Sequence, residues 1–250
     1  MKYIWISNQN EKERKEMGIF DKFKKKTEVK QEEVEKETPK QGAAKQEDDV
    51  ITAGWDAITE EFERIYPDQT DPKHYGTLIK WRFGGNEPLD GISIYDGGDY
   101  WHFVGYGLSE LYEKESPDPE ISGYGMEYTF KLKKEQYEDE EGEIRGICVI
   151  LQTLARLTAR DGEIFSPYEY IYTGQTTGID IHQKSNITGF ICIPDPTVNT
   201  LQTPNGRVEF LEFIGMTDAE LKTLKTHDSV KQIYEKLGSD VTDYHRPSLV

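Results

Sequence analysis

The side chains able to do chemistry are few and scattered. Histidine occurs as His74, His102, His182, His227 and His245, and no two stand four apart or pair with a cysteine in a zinc-like spacing. His102 and His182 are the pair that folding could bring together. Asp96 and Asp99 flank two glycines and, with His102, could hold a divalent ion, although a tight hairpin needs the same residue types for backbone reasons. The acidic run from Glu138 to Glu143 lacks the alternating oxygen ligands and placed glycine of an EF-hand loop and reads as a solvated turn. Ser109 lies in GLSEL, not in a G-x-S-x-G elbow, and Cys148 falls in an apolar helical stretch where a thiol is inert. There is no phosphate loop and no paired nucleophile and base. The residues therefore point to no catalytic group, cofactor or metal, and a function built on shape and surface is expected.

The elements that would position any site occupy the last 200 residues. The first 50 residues balance 12 Lys or Arg against 12 Asp or Glu, so the net charge of −17 comes from the remainder. That acidic body disfavours phosphate backbones and suits a basic protein or peptide; nucleic-acid binding is not expected. Residues 1–49 are rich in Lys, Glu and Gln and form a disordered charged tail by composition. Within it, MGIFDKFKKK at Met17 to Lys26 looks like a bacterial protein start, which makes residues 1–16 an upstream extension. The same stretch offers a weak basic membrane tether as an alternative role. No apolar run approaches a membrane span, no signal peptide is evident, and the cysteines sit in apolar settings (GICVIL, GFICIP), so a cytoplasmic protein is expected.

From residue 50 the pattern is that of one domain, 50–250. Ile51, Trp55, Ile58, Phe62 and Ile65 share one face of a helix ending before Pro67. Strands are expected at Thr77–Phe83, Ile92–Tyr95 and Tyr100–Gly105, with DGGD as the turn between the last two. In Tyr124–Lys133, Met126, Tyr128, Phe130 and Leu132 face one way and Glu127, Thr129, Lys131 and Lys133 the other, the signature of a half-buried strand. Ile147, Ile150, Leu151, Leu154 and Leu157 mark a helix stopping at Asp161–Gly162. Short strands follow at Ile179–His182, Gly189–Ile193 and Arg207–Ile214. Thr217 and Glu220 form a capping box for a helix to about Thr226, with another helix at Val230–Leu237. The fold class is α+β, with a mixed, mostly antiparallel sheet flanked by helices.

Several phrases together carry a resemblance: GW-x-AI at Gly54–Ile58, YPDQ at Tyr66–Gln69, GG-x-x-PLD at Gly84–Asp90, the Trp101–His102 pair, GLSELY at Gly107–Tyr112, and SG-x-G-x-E-x-TF-x-LK at Ser122–Lys133. LQTPNGRVEFLEFIGMTDAEL at Leu201–Leu221 and VTDYHRPS at Val241–Ser248 extend it. From Ile51 to Val250 the chain resembles the suppressor of fused family. That resemblance implies a suppressor-of-fused-like domain matching the N-terminal lobe of the two-lobed animal member, a scaffold that holds zinc-finger transcription factors of Hedgehog signalling by adding their peptide as a strand between the lobes. Bacterial single-domain relatives imply an immunity protein that neutralises a toxin. Carried over, the resemblance makes Tyr106, Glu110, Tyr112, Glu113 and Glu115 the partner-binding candidates, because aromatic anchors ringed by charge are typical of binding surfaces. Trp101, His102, Phe103 and Leu108 are the structural candidates. DGGD replaces a longer loop that the family often has before the Trp–His pair. An uncharacterised metal-dependent hydrolase using Asp96, Asp99 and His102 is the competing expectation.

Overall fold

The computed structural model describes residues 52–250; the charged tail, the Met17–Lys26 stretch and Ile51 lie outside the described residues. In chain order the elements are α1 (Ala53–Ile65), β1 (Lys73–Gly76), a 3-10 turn (Trp81–Phe83), β2 (Gly91–Asp96), β3 (Tyr100–Tyr106), β4 (Ile121–Lys133), α2 (Glu140–Asp161), β5 (Tyr170–Ile171), β6 (Ile187–Pro194), β7 (Leu201–Thr203), β8 (Gly206–Thr217), α3 (Asp218–Leu221) and α4 (His227–Leu237). The strands form one sheet in the order β1-β2-β3-β4-β8-β6-β5, with β7 paired to β8. Among the named strands of the described residues β4 and β8 alone pair in parallel, so the sheet is mixed and mostly antiparallel, as expected.

The helix α2 begins where the carboxylate run was expected to be a solvated turn. The Asp139 side chain accepts from the Gly142 N–H at 2.9 Å, and Glu140, Glu141 and Glu143 fill the first turn, where the positive end of the helix dipole favours acids. Gly162 ends the helix at φ 74°, a left-handed conformation that suits glycine. The buried stripe of α2 packs on Phe103, Tyr128, Phe130, Leu132 and Phe213, which form one face of the sheet.

The opposite face is also covered, by two separate apolar clusters. Ile58 and Phe62 of α1 pack on Tyr95, Val104, Tyr106 and Phe210. Leu221 of α3, then Val230 and Ile233 of α4, pack on Ile191, Ile193, Ile214 and Met216. This overturns the half-buried reading of β4: Glu127, Thr129 and Lys131 are essentially without exposure, and of the four polar positions only Lys133 keeps partial access to solvent. Alternation along β4 separates an apolar face from an ionic one, both inside.

The ionic positions form a seam between the two clusters. The Lys131 Nζ lies 3.0 Å from Asp195, 2.9 Å from Glu212 and 2.7 Å from Asp240. His102 Nε2 stands 3.0 Å from the second oxygen of Asp195, which also accepts from the Thr129 hydroxyl at 2.8 Å. Burial alone would lower the Lys131 pKa, but Glu212, Asp195 and Asp240 together raise it, so the ammonium is retained. Burial acts on Asp195 in the opposite sense to His102 and Lys131, which win and hold it well below the usual carboxylate range. Glu212 is pushed well above that range by burial and by Asp195. Burial holds His102 neutral; it therefore donates from Nε2 to Asp195 and accepts at Nδ1 from the Tyr66 hydroxyl, 2.8 Å away.

Three other expectations fail locally. Thr77–Phe83 is not a strand: β1 lies just before it, and the segment is a loop closed by the Trp81–Phe83 turn with Leu78 and Phe83 exposed. Ile179–His182 is a turn held by the Asp180 carboxylate, which accepts from the N–H groups of Lys184 and Ser185. The Thr217–Glu220 capping box is present, but the helix stops at Leu221, because Thr226 adopts extended backbone to cap α4 with Ser229.

Replacing Lys131 with methionine leaves buried carboxylates without their cation. A loss of about 3–5 kcal/mol is expected at pH 7 in urea unfolding. Without the cation the folded-state pKa of Glu212 rises further and that of Asp195 is less depressed, so stability is regained as pH falls, and the deficit relative to the unmodified protein should shrink toward pH 4. A deficit independent of pH would contradict the ionic account.

Candidate protein-interaction surface

The phrases that stood out in the sequence converge on the end of the sheet where β3 leads into the loop 107–116. Gly107 opens the loop at φ 146°, and a Cβ there would collide with the backbone of Pro88 and Leu89. The buried Glu127 carboxylate then gathers the loop, accepting from the N–H groups of Gly107 and Ser109 at 2.9 Å, from that of Leu108 at 3.3 Å and from the Ser109 hydroxyl at 2.6 Å. Burial pushes Glu127 up to about 7 against the pull of these donors. Asn205, from the TPNG turn, donates to the carbonyls of Glu110 and Tyr112 at 2.8 and 2.9 Å. Ser122 Oγ accepts from the Glu110 N–H.

These contacts place three of the five partner-binding candidates within the fold. Glu110 is engaged inside the loop: its carboxylate accepts from the Lys114 ammonium and from the N–H groups of Glu115, Ser116 and Gly123. Burial would raise its pKa, but those donors prevail and hold it at about 2. Tyr106 is 1% exposed and stacks on Trp55 at 4.4 Å, so it belongs to the α1 interface. Tyr112 is 9% exposed; its hydroxyl donates to Asp90 at 3.0 Å and the Arg82 guanidinium lies 3.8 Å from its ring. Glu113 and Glu115 are exposed, and their carboxylates have no hydrogen-bond partner among the described residues.

The structural candidates sit as follows. Phe103 and Leu108 belong to the core under α2, and His102 to the ionic seam. Trp101 is partly buried, with Lys134 3.9 Å and Lys73 5.0 Å from its ring.

Sequence reasoning missed the surface beside the loop. Residues 77–85 are pinned at Thr77, whose N–H donates to the Asp90 carbonyl at 3.0 Å, and at Trp81, whose N–H donates to the Asp90 carboxylate at 2.8 Å. Lys80 hydrogen-bonds the Tyr112 hydroxyl, and Arg82 bridges the rings of Tyr112 and Phe83. Yet Leu78 is 90%, Phe83 69% and Ile79 59% exposed. TLIKWRF gave no sign of this, because Ile79, Trp81 and Phe83 alternate with Lys80 and Arg82 as they would in a half-buried strand.

The metal expectation does not assemble. Asp96 pairs with Lys134, whereas His102 points into the seam toward Asp195, so Asp96, Asp99 and His102 do not converge. His182 lies beside Glu138, away from His102. Among the described residues, Glu135, Asp243 and His245 do approach one another, but Lys133 already sits 2.7 Å from Asp243 and 3.6 Å from Glu135. The Cys148 thiol is pushed up to about 12 by burial and then by Glu141, consistent with inertness.

Residues 85–247 match the family model described as suppressor of fused protein. The chain belongs to the suppressor of fused family. The human and mouse suppressor of fused homologs are each 31% identical over 181 residues, which is 67% of this chain and 36% of theirs. The chain thus spans about a third of the length of the curated relatives it matches. Among solved structures, a chain of the Sufu–Fu complex superposes with a TM-score of 0.67 at 26% identity, covering 79% of this chain and 92% of that one. Drosophila Suppressor of Fused gives 0.65 at 25% identity, covering 79% and 51%. The suppressor of fused phrases prove to be polar clamps: Gln69 of YPDQ, for example, pairs both its amide groups with the Asp96 backbone, at 2.7 and 2.8 Å.

Glu127→Gln would set an amide NH2 against donors that need an acceptor. A loss of about 1–3 kcal/mol is expected, together with faster hydrogen exchange at the amides of Gly107, Leu108 and Ser109. Unchanged exchange there would show that Glu127 does not hold the loop.

Proposed function

We propose that this domain is a non-catalytic, cytoplasmic protein-binding module that sequesters a protein partner, most simply as the immunity component of a bacterial toxin system. The observation that carries the binding role is the pinned, exposed apolar group Leu78, Ile79 and Phe83 beside a loop presenting Glu113 and Glu115. Apolar side chains fixed in place and rimmed by charge form a typical binding surface, because little conformational entropy remains to be lost on association. Family membership supports the same reading, as does the solved complex of a related chain with Fu. The acidity of residues 51–250 favours a basic partner, steered toward Glu113 and Glu115. A cytoplasmic setting is supported by two buried free cysteines, Cys148 and Cys192, and by the finding that no described helix is long and apolar enough to cross a membrane. The immunity role itself draws on the resemblance to single-domain bacterial relatives.

Co-expression with the product of the neighbouring gene tests both levels. Binding and rescue from toxicity are expected, and the double variant Leu78→Asp, Phe83→Asp should weaken binding by about 2 kcal/mol, roughly thirtyfold, with the melting temperature unchanged. Charge reversal at Glu113 and Glu115 should slow association chiefly at low salt. Binding without rescue would remove the immunity role; a complex indifferent to Leu78 and Phe83 would remove this surface.

A further inference from the structure

A second feature lies under α1, lined by none of the residues of the 77–85 segment. Trp55, Thr59 and Glu63 recur every four residues and so form one stripe along the helix. Opposite them, one face of the sheet contributes His74 from β1, Ser93 and Tyr95 from β2 and Tyr106 from β3, and residues 69–72 close one end. The result is an open pocket of about 210 Å³. That is below the roughly 300–1,000 Å³ of sites for drug-sized ligands and matches a single side-chain head group.

The walls are aromatic and the polar atoms are mostly acceptors. Trp55 and Tyr106 stack at 4.4 Å, with His74 5.6 Å from the Trp55 ring. His74 is fixed by Ser93, whose hydroxyl lies 3.0 Å from Nδ1. Partial burial and the nearby Lys80 hold its pKa below the ordinary histidine value, so it adds no positive charge. The rings fit together over Gly91, where a Cβ would come 2.5 Å from His74 Cε1 and 3.0 Å from Trp55 Cη2. Around them stand the hydroxyls of Thr59, Ser93, Tyr95 and Tyr106 and the exposed carboxylates of Glu63 and Asp71, neither of which has an ion-pair partner among the described residues. Gln69, at the closed end, is already engaged with the Asp96 backbone, which fixes the 69–72 loop.

We propose that this pocket binds a guanidinium group, the head of an arginine side chain. A guanidinium is flat enough to lie against the partly exposed Trp55 ring, offers five N–H donors to the surrounding hydroxyl and carboxylate oxygens, and is less strongly hydrated than an ammonium. Glu63 and Asp71 supply the charge that makes those hydrogen bonds strong. The site is distinct from the apolar group Leu78, Ile79 and Phe83, although Lys80 of the same segment stands over Trp55, its Nζ 5.6 Å from the ring.

The test is titration of the full chain with N-acetyl-arginine amide and with its neutral isostere N-acetyl-citrulline amide, following the assigned Trp55 indole resonance by NMR. Saturable shifts are expected with arginine, with citrulline at least tenfold weaker. The double variant Glu63→Gln, Asp71→Asn, at exposed positions that leave the fold intact, should bring arginine down to the citrulline level. A peptide Ala-Arg-Ala distinguishes a polypeptide source, which binds more tightly than the amide, from a free small-molecule ligand, which does not; both results support the site. Equal binding of arginine and citrulline, or no Trp55 shift with either, overturns the proposal.

Discussion

A single buried ammonium organises one side of this molecule. Lys131 stands at the middle of the sheet, and its three carboxylate partners come from the end of β6, from β8 and from the segment after α4. Apolar packing alone would let α1 and the α3–α4 pair slide over the sheet, since dispersion contacts are not directional. The ionic seam removes that freedom, because each carboxylate has to lie where the charge is. Through Asp195 and His102 the constraint reaches Tyr66 at the end of α1. The seam sets where elements lie more than it adds stability, since desolvation cancels much of the attraction in such a cluster.

The same logic operates in the loops. Glu127, Asp90 and Glu110 each collect several donors, and Asn205 reaches from the β7–β8 turn to the carbonyls of Glu110 and Tyr112. Loops of this kind would ordinarily be mobile, yet here backbone groups that cannot pair in the sheet find fixed side-chain partners. Rigid loops leave a neighbouring apolar segment held in the open, where it cannot collapse onto the core.

Much of this was legible from sequence wherever the signal was local. The ladder from Trp55 to Ile65, the Gly162 stop and the Thr217–Glu220 box all depend on neighbours within a turn or two. The seam was not legible, because Lys131 meets partners 64, 81 and 109 residues away, and an outward lysine and a buried one give the same alternation in β4. TLIKWRF misled for a different reason: its composition suits a strand, but the pairing edge beside β2 is taken by Lys73–Gly76. Tyr106 and Tyr112 were expected at the surface from their neighbours in sequence, whereas their burial is decided by α1 and by the distant Lys80 and Arg82. The resemblance to a family located the important loops and left open which of their residues face inward.

The parallel junction of β4 and β8 has a consequence for the order in which the chain is made. The strands β1 to β4 are sequence neighbours and can pair as they emerge from the ribosome, but the partner edge of β4 is supplied some eighty residues later. Until Glu212 and Asp240 have been synthesised, Lys131 lacks two of its three counter-charges and the centre of the sheet stays open. The nascent N-terminal half is therefore an unfinished sheet with a free edge, the kind of species that chaperones shield. Completion waits on the last dozen residues, where Thr242 pairs with the backbone of Lys131 and Lys133 and closes the fold.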